Sequence, residues 1–255
     1  MTSVAAAKRP QRVRHSMREA QAYFGDKVDA YRQSPSHANR QELARMLAWL
    51  APRAGERALD VATGGGHTAL ALAEAGCRAV ATDATPAMVR DHPPLPRLVC
   101  DAERLPFRRG AFTIVTSRIA PHHFPDLALF AQEAARVLAS GGRLYVFDLT
   151  TPDSHEVART IDHIERLRDP SHGHSWSVAE WRAALAKAGL VVERLEATAS
   201  TFPLEPWIAR ARMPPEREAE LRRILAERRD LGGYGVTEDG LMRVLRVELL
   251  ASVPA

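Results

Sequence analysis

The sequence predicts an α/β protein built on a doubly wound sheet, and three observations predict it. Strand-length apolar runs alternate with segments of helical period from Arg57 to Asp148. Three successive glycines, Gly64-Gly65-Gly66, follow directly on the first run. The chain of 255 residues, 45% apolar and 26% charged, is long and apolar enough to bury a sizeable core. The same composition excludes a disordered or collagen-like chain.

In order, the first helix is expected from Ser36, where Leu43, Met46, Leu47 and Leu50 share one face and Pro52 with Gly55 ends the run. Arg57–Val61 is the first strand, Thr68–Ala75 a small-residue helix closed by Gly76, and Arg78–Thr82 the second strand. A short helix around Pro86–Arg90 precedes the prolines of His92-Pro93-Pro94-Leu95-Pro96, which forbid helix; Arg97–Cys100 then reads as strand. Phe112–Thr116 is the next strand. Leu127, Phe130, Ala131, Ala134 and Leu138 stripe a helix that Gly141-Gly142 should end, and Arg143–Asp148 follows as strand. Beyond it, Val157, Ile161, Ile164 and Leu167 mark a helix, and Ser177-Val178-Ala179-Glu180 is a capping box opening another that Gly189 stops. A strand over Leu190–Thr201 is followed by helices near Leu204–Ala211 and from Pro215 to Leu231. Leu245, Val247, Leu249, Ala251 and Val253 alternate as the last strand, within Leu241–Val253. With no repeat and no charge-poor linker, a single domain over residues 19–255 is expected after a basic tail at 1–18.

Charge and cysteine usage narrow the function. Lys8, Arg9, Arg12, Arg14 and Arg18 give the tail +5, and residues 19–255 sum to −1. The folded body therefore lacks the basic footprint of a nucleic-acid-binding domain. The tail has no apolar segment of the kind a secretory signal needs. No apolar run approaches the roughly eighteen residues of a membrane span. Two cysteines, Cys77 and Cys100, leave no disulfide framework or cysteine zinc site. A cytoplasmic protein fits these features best.

Doubly wound sheets bind ligands at the carboxyl ends of their strands. Asp60-Val61-Ala62-Thr63-Gly64-Gly65-Gly66-His67 sits at such an end, where glycines permit a tight turn and close approach, and where a helix start offers free N–H groups. A purely structural strand-to-helix turn is the alternative, but three glycines weaken such a turn. A dinucleotide loop would carry a further spaced glycine; His67, Thr68, Ala69 and Leu70 stand there instead. Asp83, at the end of the second strand, can accept ribose hydroxyls of either NAD or S-adenosylmethionine (SAM). Asp101, in Cys100-Asp101-Ala102-Glu103-Arg104-Leu105-Pro106-Phe107, can accept an adenine amine, or simply cap a turn. Together these three strand-end acids and the loop favour SAM over NAD.

These segments carry a resemblance. Ala58–Ala73, Asp101–Phe107, Arg118-Ile119-Ala120-Pro121-His122-His123-Phe124 and Arg136-Val137-Leu138 with Gly141-Gly142 resemble the class I SAM-dependent methyltransferases near the ubiquinone- and menaquinone-biosynthesis C-methyltransferases. Small bacterial members are similar also at Tyr31, at Ser34–Ala38 and at Leu167–His172, so that the resemblance spans about residues 23–190. It implies a Rossmann-like, seven-stranded sheet whose last strand is antiparallel, with helical lids: an N-terminal lid at 19–42, a SAM-binding core at 43–150, a helical substrate lid at 151–189, and C-terminal strands and helices at 190–255. It places Gly64 and Gly66 at the methionine part of the cofactor, Asp83 at the ribose, and Asp101 with Ala102 at the adenine. Asp60, Ala62, Ala84, Arg118 and Tyr31 complete the expected cofactor contacts. The chain departs from the family in three places: a short Asp83–Asp101 segment rich in proline, Asn39 where glycine is usual, and Gly173-His174 after His172.

Methyl transfer from a sulfonium is an in-line displacement in which positioning and water exclusion supply most of the acceleration. A proton must still leave an O, N or activated C nucleophile, a task that suits histidine. His123 is the expected base, with His172 as a second catalytic candidate; each could instead be structural, as could His122. Tyr31 and His37 are read as lid contacts. Adjacent histidines diverge and no helix pair completes a ligand set, so no metal site is expected. Arg118, Arg166 and Arg168 are candidates for meeting an acidic acceptor. The expected activity is methylation of a small-molecule acceptor, without nucleic acid or a membrane span. The alternatives are a SAM-binding protein with lost or repurposed chemistry (a binding module or cyclase) and an NAD-linked oxidoreductase.

Overall fold

The structure is a computed structural model that describes residues 38–90, 95–228 and 231–255. Tyr31 and His37 lie outside the described residues. Helix α1 (Arg40–Leu50) begins at Arg40 because the Asn39 side chain caps it, its Oδ1 accepting from the N–H of Gln41 at 3.0 Å and of Glu42 at 3.4 Å. The departure from glycine at position 39 thus supplies a cap.

From there strands and helices alternate: β1 (Arg57–Val61), α2 (His67–Glu74), β2 (Arg78–Asp83), α3 (Pro86–Arg90), β3 (Arg97–Val99), β4 (Phe112–Arg118), α4 (Leu127–Val137) and β5 (Leu138–Leu149). β5 is longer than its apolar run. The chain passes from α4 straight into strand, Leu138 pairs with Phe112, and after a bulge Arg143 pairs with Ile114. Gly141-Gly142, expected to end α4, forms that bulge instead; a Cβ on Gly142 would lie 2.8 Å from the Ala139 carbonyl. Then come α5 (His155–Arg168), α6 (Val178–Lys187), β6 (Val191–Pro203), α7 (Leu204–Ala209), α8 (Pro215–Glu227), β7 (Gly235–Val236) and β8 (Leu241–Ser252). The Ser177/Glu180 capping box opens α6 as the sequence indicated. α8 stops at Glu227, short of Leu231, and the two-residue β7 had no sequence signal.

The sheet runs β3-β2-β1-β4-β5-β8-β6, with β7 paired to the start of β8. β1 to β5 pair in parallel, and β8 lies antiparallel between β5 and β6. This is the mostly parallel sheet with an antiparallel last strand that the resemblance implied. On one face, Phe130, Ala134, Trp181 and Leu185 of α4 and α6 cover Leu59, Val115, Val146 and Leu249. On the other, Met46, Leu50 and Leu72 of α1 and α2 cover Ala58, Ile114, Tyr145 and Leu250. A third cluster joins Ile161, Ile164, Trp207 and Leu221 of α5, α7 and α8 to Leu149, Met242 and Val244.

The alternation in the last strand does not correspond to a wet face. Leu245, Val247 and Leu249 alternate with Arg246 and Glu248, a pattern that by itself reads as a half-exposed strand. β8 lies between β5 and β6 with packed clusters against both of its faces, and Arg246 and Glu248 are 7% and 1% exposed.

Candidate active site

The strand order reverses between β1 and β4, and the crevice at such a switch lies at the carboxyl ends of the strands. There β1 runs into the glycine loop. Ala62 has φ +55°, Gly64 +51° and Gly66 +82°, so the loop is built on left-handed backbone that glycine adopts without strain. Gly66 occupies the cap position of α2, whose first N–H groups therefore face the loop rather than a capping side chain. The Thr63 amide donates to the Thr82 carbonyl at 2.8 Å, tying the loop to β2.

Two of the three strand-end acids brace this loop, and the third caps a neighbouring turn. Asp60 is 2% exposed; its carboxylate accepts from the Thr63 hydroxyl at 2.6 Å and the Thr116 hydroxyl at 2.7 Å. Burial pushes its pKa up to about 6 against those two hydrogen bonds. Its side chain thus clamps the loop to β4. Asp83 accepts from the Gly64 amide at 2.9 Å and the Thr85 amide at 2.8 Å, and burial raises its pKa as well. Asp101 caps its own turn, accepting from the Glu103 amide at 2.9 Å, and the Cys100 amide donates to the Asp83 carbonyl. Ala84 follows Asp83 at the rim, and Ala102 is buried beside Asp101.

Arg118 ends β4 and turns inward. Its Nε donates to the Thr68 hydroxyl at 3.2 Å and its Nη1 to Glu42 at 3.0 Å, linking α1 to the helix that leaves the glycine loop. Burial lowers its pKa while Glu42 and Asp60 oppose that shift; Glu42 is itself raised by burial. Ile119 follows with φ +58°, a conformation that a β-branched residue adopts only under strain and that occurs preferentially at functional sites.

After β4 the chain enters a short 3-10 turn, Pro121–His123, and there the histidines gather. His122 is 6% exposed; its Nδ1–H donates to Asp148 at 2.6 Å and its backbone amide donates to the same carboxylate at 2.6 Å. Burial alone would lower the His122 pKa, but the Asp148 carboxylate outweighs it and the pKa is raised. His123 differs. Its Nδ1 lies 3.0 Å from the Ser171 carbonyl, and burial together with charge on His122 holds its pKa far below the usual imidazole range. His172 is 1% exposed, stacked on His122 at 5.4 Å between ring centres and bonded through Nε2 to Asp162 at 3.0 Å. His174 bridges Asp162 at 2.5 Å and Glu180 at 3.0 Å, and these partners raise its pKa to about 9 in spite of burial. The structure thus brings His122, His123 and His172 together.

Arg166 and Arg168 of α5 are engaged locally, Arg166 with the Gly173 carbonyl at 3.1 Å and Arg168 with Glu165 at 2.8 Å. Sequence reasoning missed Asp148, Asp162, Glu42 and Arg246. Asp148 did have a signal: like Asp60 and Asp83, it is an acid at the carboxyl end of a buried strand. No group of three or more His, Cys, Asp or Glu among the described residues is placed to hold a metal ion, and no helix among them is long and apolar enough to cross a membrane.

Comparison with known proteins agrees with this geometry. The profile of the methyltransferase domain family matches residues 59–146, from β1 to β5. The uncharacterized methyltransferase YcgJ of Bacillus subtilis (strain 168) is 31% identical over 207 residues, 78% of this chain and 82% of that one. A methyltransferase candidate of Bacillus halodurans C-125 superposes with a TM-score of 0.77 at 32% identity, covering 84% of this chain and all of its own. The demethylmenaquinone methyltransferase of Beutenbergia cavernae is 37% identical over 107 residues, 40% of this chain and 45% of that relative. With identity sustained across most of both chains in the Bacillus subtilis relative, this chain belongs to the class I SAM-dependent methyltransferases.

Proposed function

We propose that the chain transfers the methyl group of SAM to a small-molecule acceptor, and that His122 takes the acceptor's proton. One observation carries the cofactor assignment: carboxylates at the ends of two adjacent strands hold a single left-handed glycine loop, Asp60 through the Thr63 hydroxyl and Asp83 through the Gly64 amide at 2.9 Å. The donor set suits SAM. The backbone of Ala62, Gly64 and Gly66 can approach the amino-acid part, Asp83 and Ala84 the ribose, and Asp101 with Ala102 the adenine. Asp60 and Arg118 act behind the loop, fixing it to β4 and α1. When bound, the cofactor supplies a methyl group on a positively charged sulfur.

Asp148 holds the His122 imidazole with Nδ1 protonated, which leaves Nε2 as the basic nitrogen. A raised pKa makes His122 a stronger base than His123 and places its titration nearer working pH. His123 and His172 then act as positioning residues, His172 by stacking on the His122 ring. A small acceptor suits the near-neutral folded body, and demethylmenaquinone, named for one relative, is a small acceptor of that protein. The free cysteines Cys77 and Cys100 suit a reducing cytoplasm.

Calorimetric titration with SAM, S-adenosylhomocysteine and NAD tests the cofactor assignment. Binding of both sulfur compounds and not of NAD is the expected result. Binding of NAD alone, or of none of the three, would refute it.

A further inference from the structure

A cavity of about 230 Å³ opens between the start of α1, the end of β4 and the outer strands, where Glu42, Ile119, Ser200, Thr201, Phe202 and Arg246 line it. Arg246 sits opposite Leu149, at the carboxyl end of β5, and is 7% exposed. Its Nε and Nη1 meet no acceptor among the described residues. An arginine keeps its proton even where burial lowers its pKa, as here. Two buried guanidinium nitrogens without an acceptor are costly to the fold alone and are accounted for by an anion that arrives with a ligand.

The surrounding acids are already engaged. Glu42 accepts from Arg118, Asp148 from His122, and Glu165 from Arg168 and Tyr234. Glu248 accepts from Tyr145 and pairs with Arg45. Arg168 and Arg210 add positive charge felt at Arg246, and Arg210 lies 5.4 Å from the ring of Phe202 on the cavity wall. A chain of hydrogen bonds joins the cavity wall to the helix that leaves the glycine loop, from Glu42 to Arg118 to Thr68 on α2.

We infer that Arg246 is a specificity-determining residue that binds a carboxylate on the acceptor, with Ile119 and Phe202 contacting its apolar body. This inference rests on the methyltransferase reading and names the acceptor class: a small carboxylic acid, aromatic or aliphatic.

Benzoate and its neutral isostere benzamide are suitable probes, titrated calorimetrically into the full chain saturated with S-adenosylhomocysteine. Charge-assisted hydrogen bonds predict that benzoate binds at least about tenfold more tightly than benzamide. Arg246→Gln should abolish that preference and leave S-adenosylhomocysteine affinity unchanged. A merely structural Arg246, packed 5.7 Å from the Phe147 ring, would lower the melting temperature without altering the benzoate preference. Should Arg246→Gln not fold, Arg246→Lys must reduce the preference. Phenyl phosphate binding in place of benzoate, equal binding of benzoate and benzamide, no binding of either, or a preference that survives substitution would overturn the inference. Failure of the wild type to bind S-adenosylhomocysteine would instead refute the methyltransferase reading.

Discussion

His174 offers a quantitative test of the buried network between α5 and α6. Its ring is held between Asp162 at 2.5 Å and Glu180 at 3.0 Å, and its pKa stands at about 9 against an ordinary 6.5. At about 1.4 kcal/mol for each pH unit, that interval corresponds to about 3 kcal/mol of folding stability. The same contacts depress Asp162, so the energy belongs to one cluster and is counted once. The sign follows from the direction. A raised imidazole stabilises fully below 6.5, progressively less as the pH climbs, and not at all above about 9. His174→Gln keeps a polar group of similar reach but cannot titrate. Urea unfolding of both proteins between pH 6 and pH 9.5 is the assay. The stability gap between wild type and variant should shrink by about 3 kcal/mol across that range. His122 titrates in both proteins and cancels. A gap that stays constant to within about 1 kcal/mol would show that the charged pair contributes nothing.

Three further outcomes are expected. Asp83→Asn weakens SAM binding by about 10- to 100-fold in calorimetry, because it removes a charged acceptor from the ribose side. His122→Gln lowers kcat by about 100-fold or more with SAM affinity unchanged, whereas His123→Gln changes kcat by less than about tenfold. In the wild type kcat/KM rises with pH through a value above 6.5, since the base must be unprotonated, and a flat profile would count against His122. Trp181 is wholly buried and its indole N–H has no acceptor among the described residues, so Trp181→Ala costs packing alone, about 3–5 kcal/mol in urea unfolding.

The architecture of the candidate cofactor site was legible because it is local. Strand, glycine loop and helix occupy residues 57–74 in unbroken succession, and their chemistry requires residue types that the sequence displays. Asp83 and Asp101 were legible for the same reason, each lying at or just beyond a strand end. The base was not. Nothing next to His122 or His123 in the chain reveals that Asp148, 26 residues on, reaches one and not the other. The pair looks symmetric until the sheet sets β5 beside β4 and one imidazole receives the carboxylate. Arg246 was hidden by a different mechanism. Alternation reports how many faces of a strand are wet only when its place in the sheet is known, and nothing local places β8 between β5 and β6. The bulge at Gly141-Gly142 escaped because a helix terminus and a strand bulge both require glycine, and sequence does not separate the two uses.

The position of β8 also has a consequence for biosynthesis. The strand made last, Leu241–Ser252, is the one that joins β5 to β6. Until it emerges from the ribosome, both of those strands present open edges, and β6 has no partner at all. At about 5–20 residues per second, the stretch from Leu149 to Leu241 leaves the β5 edge bare for several seconds or more. Nascent or truncated chains therefore carry two hydrogen-bonding templates for mispairing with one another. A chain stopped just before Leu241 should accumulate as aggregate or be degraded, even though every residue of the glycine loop has already been made.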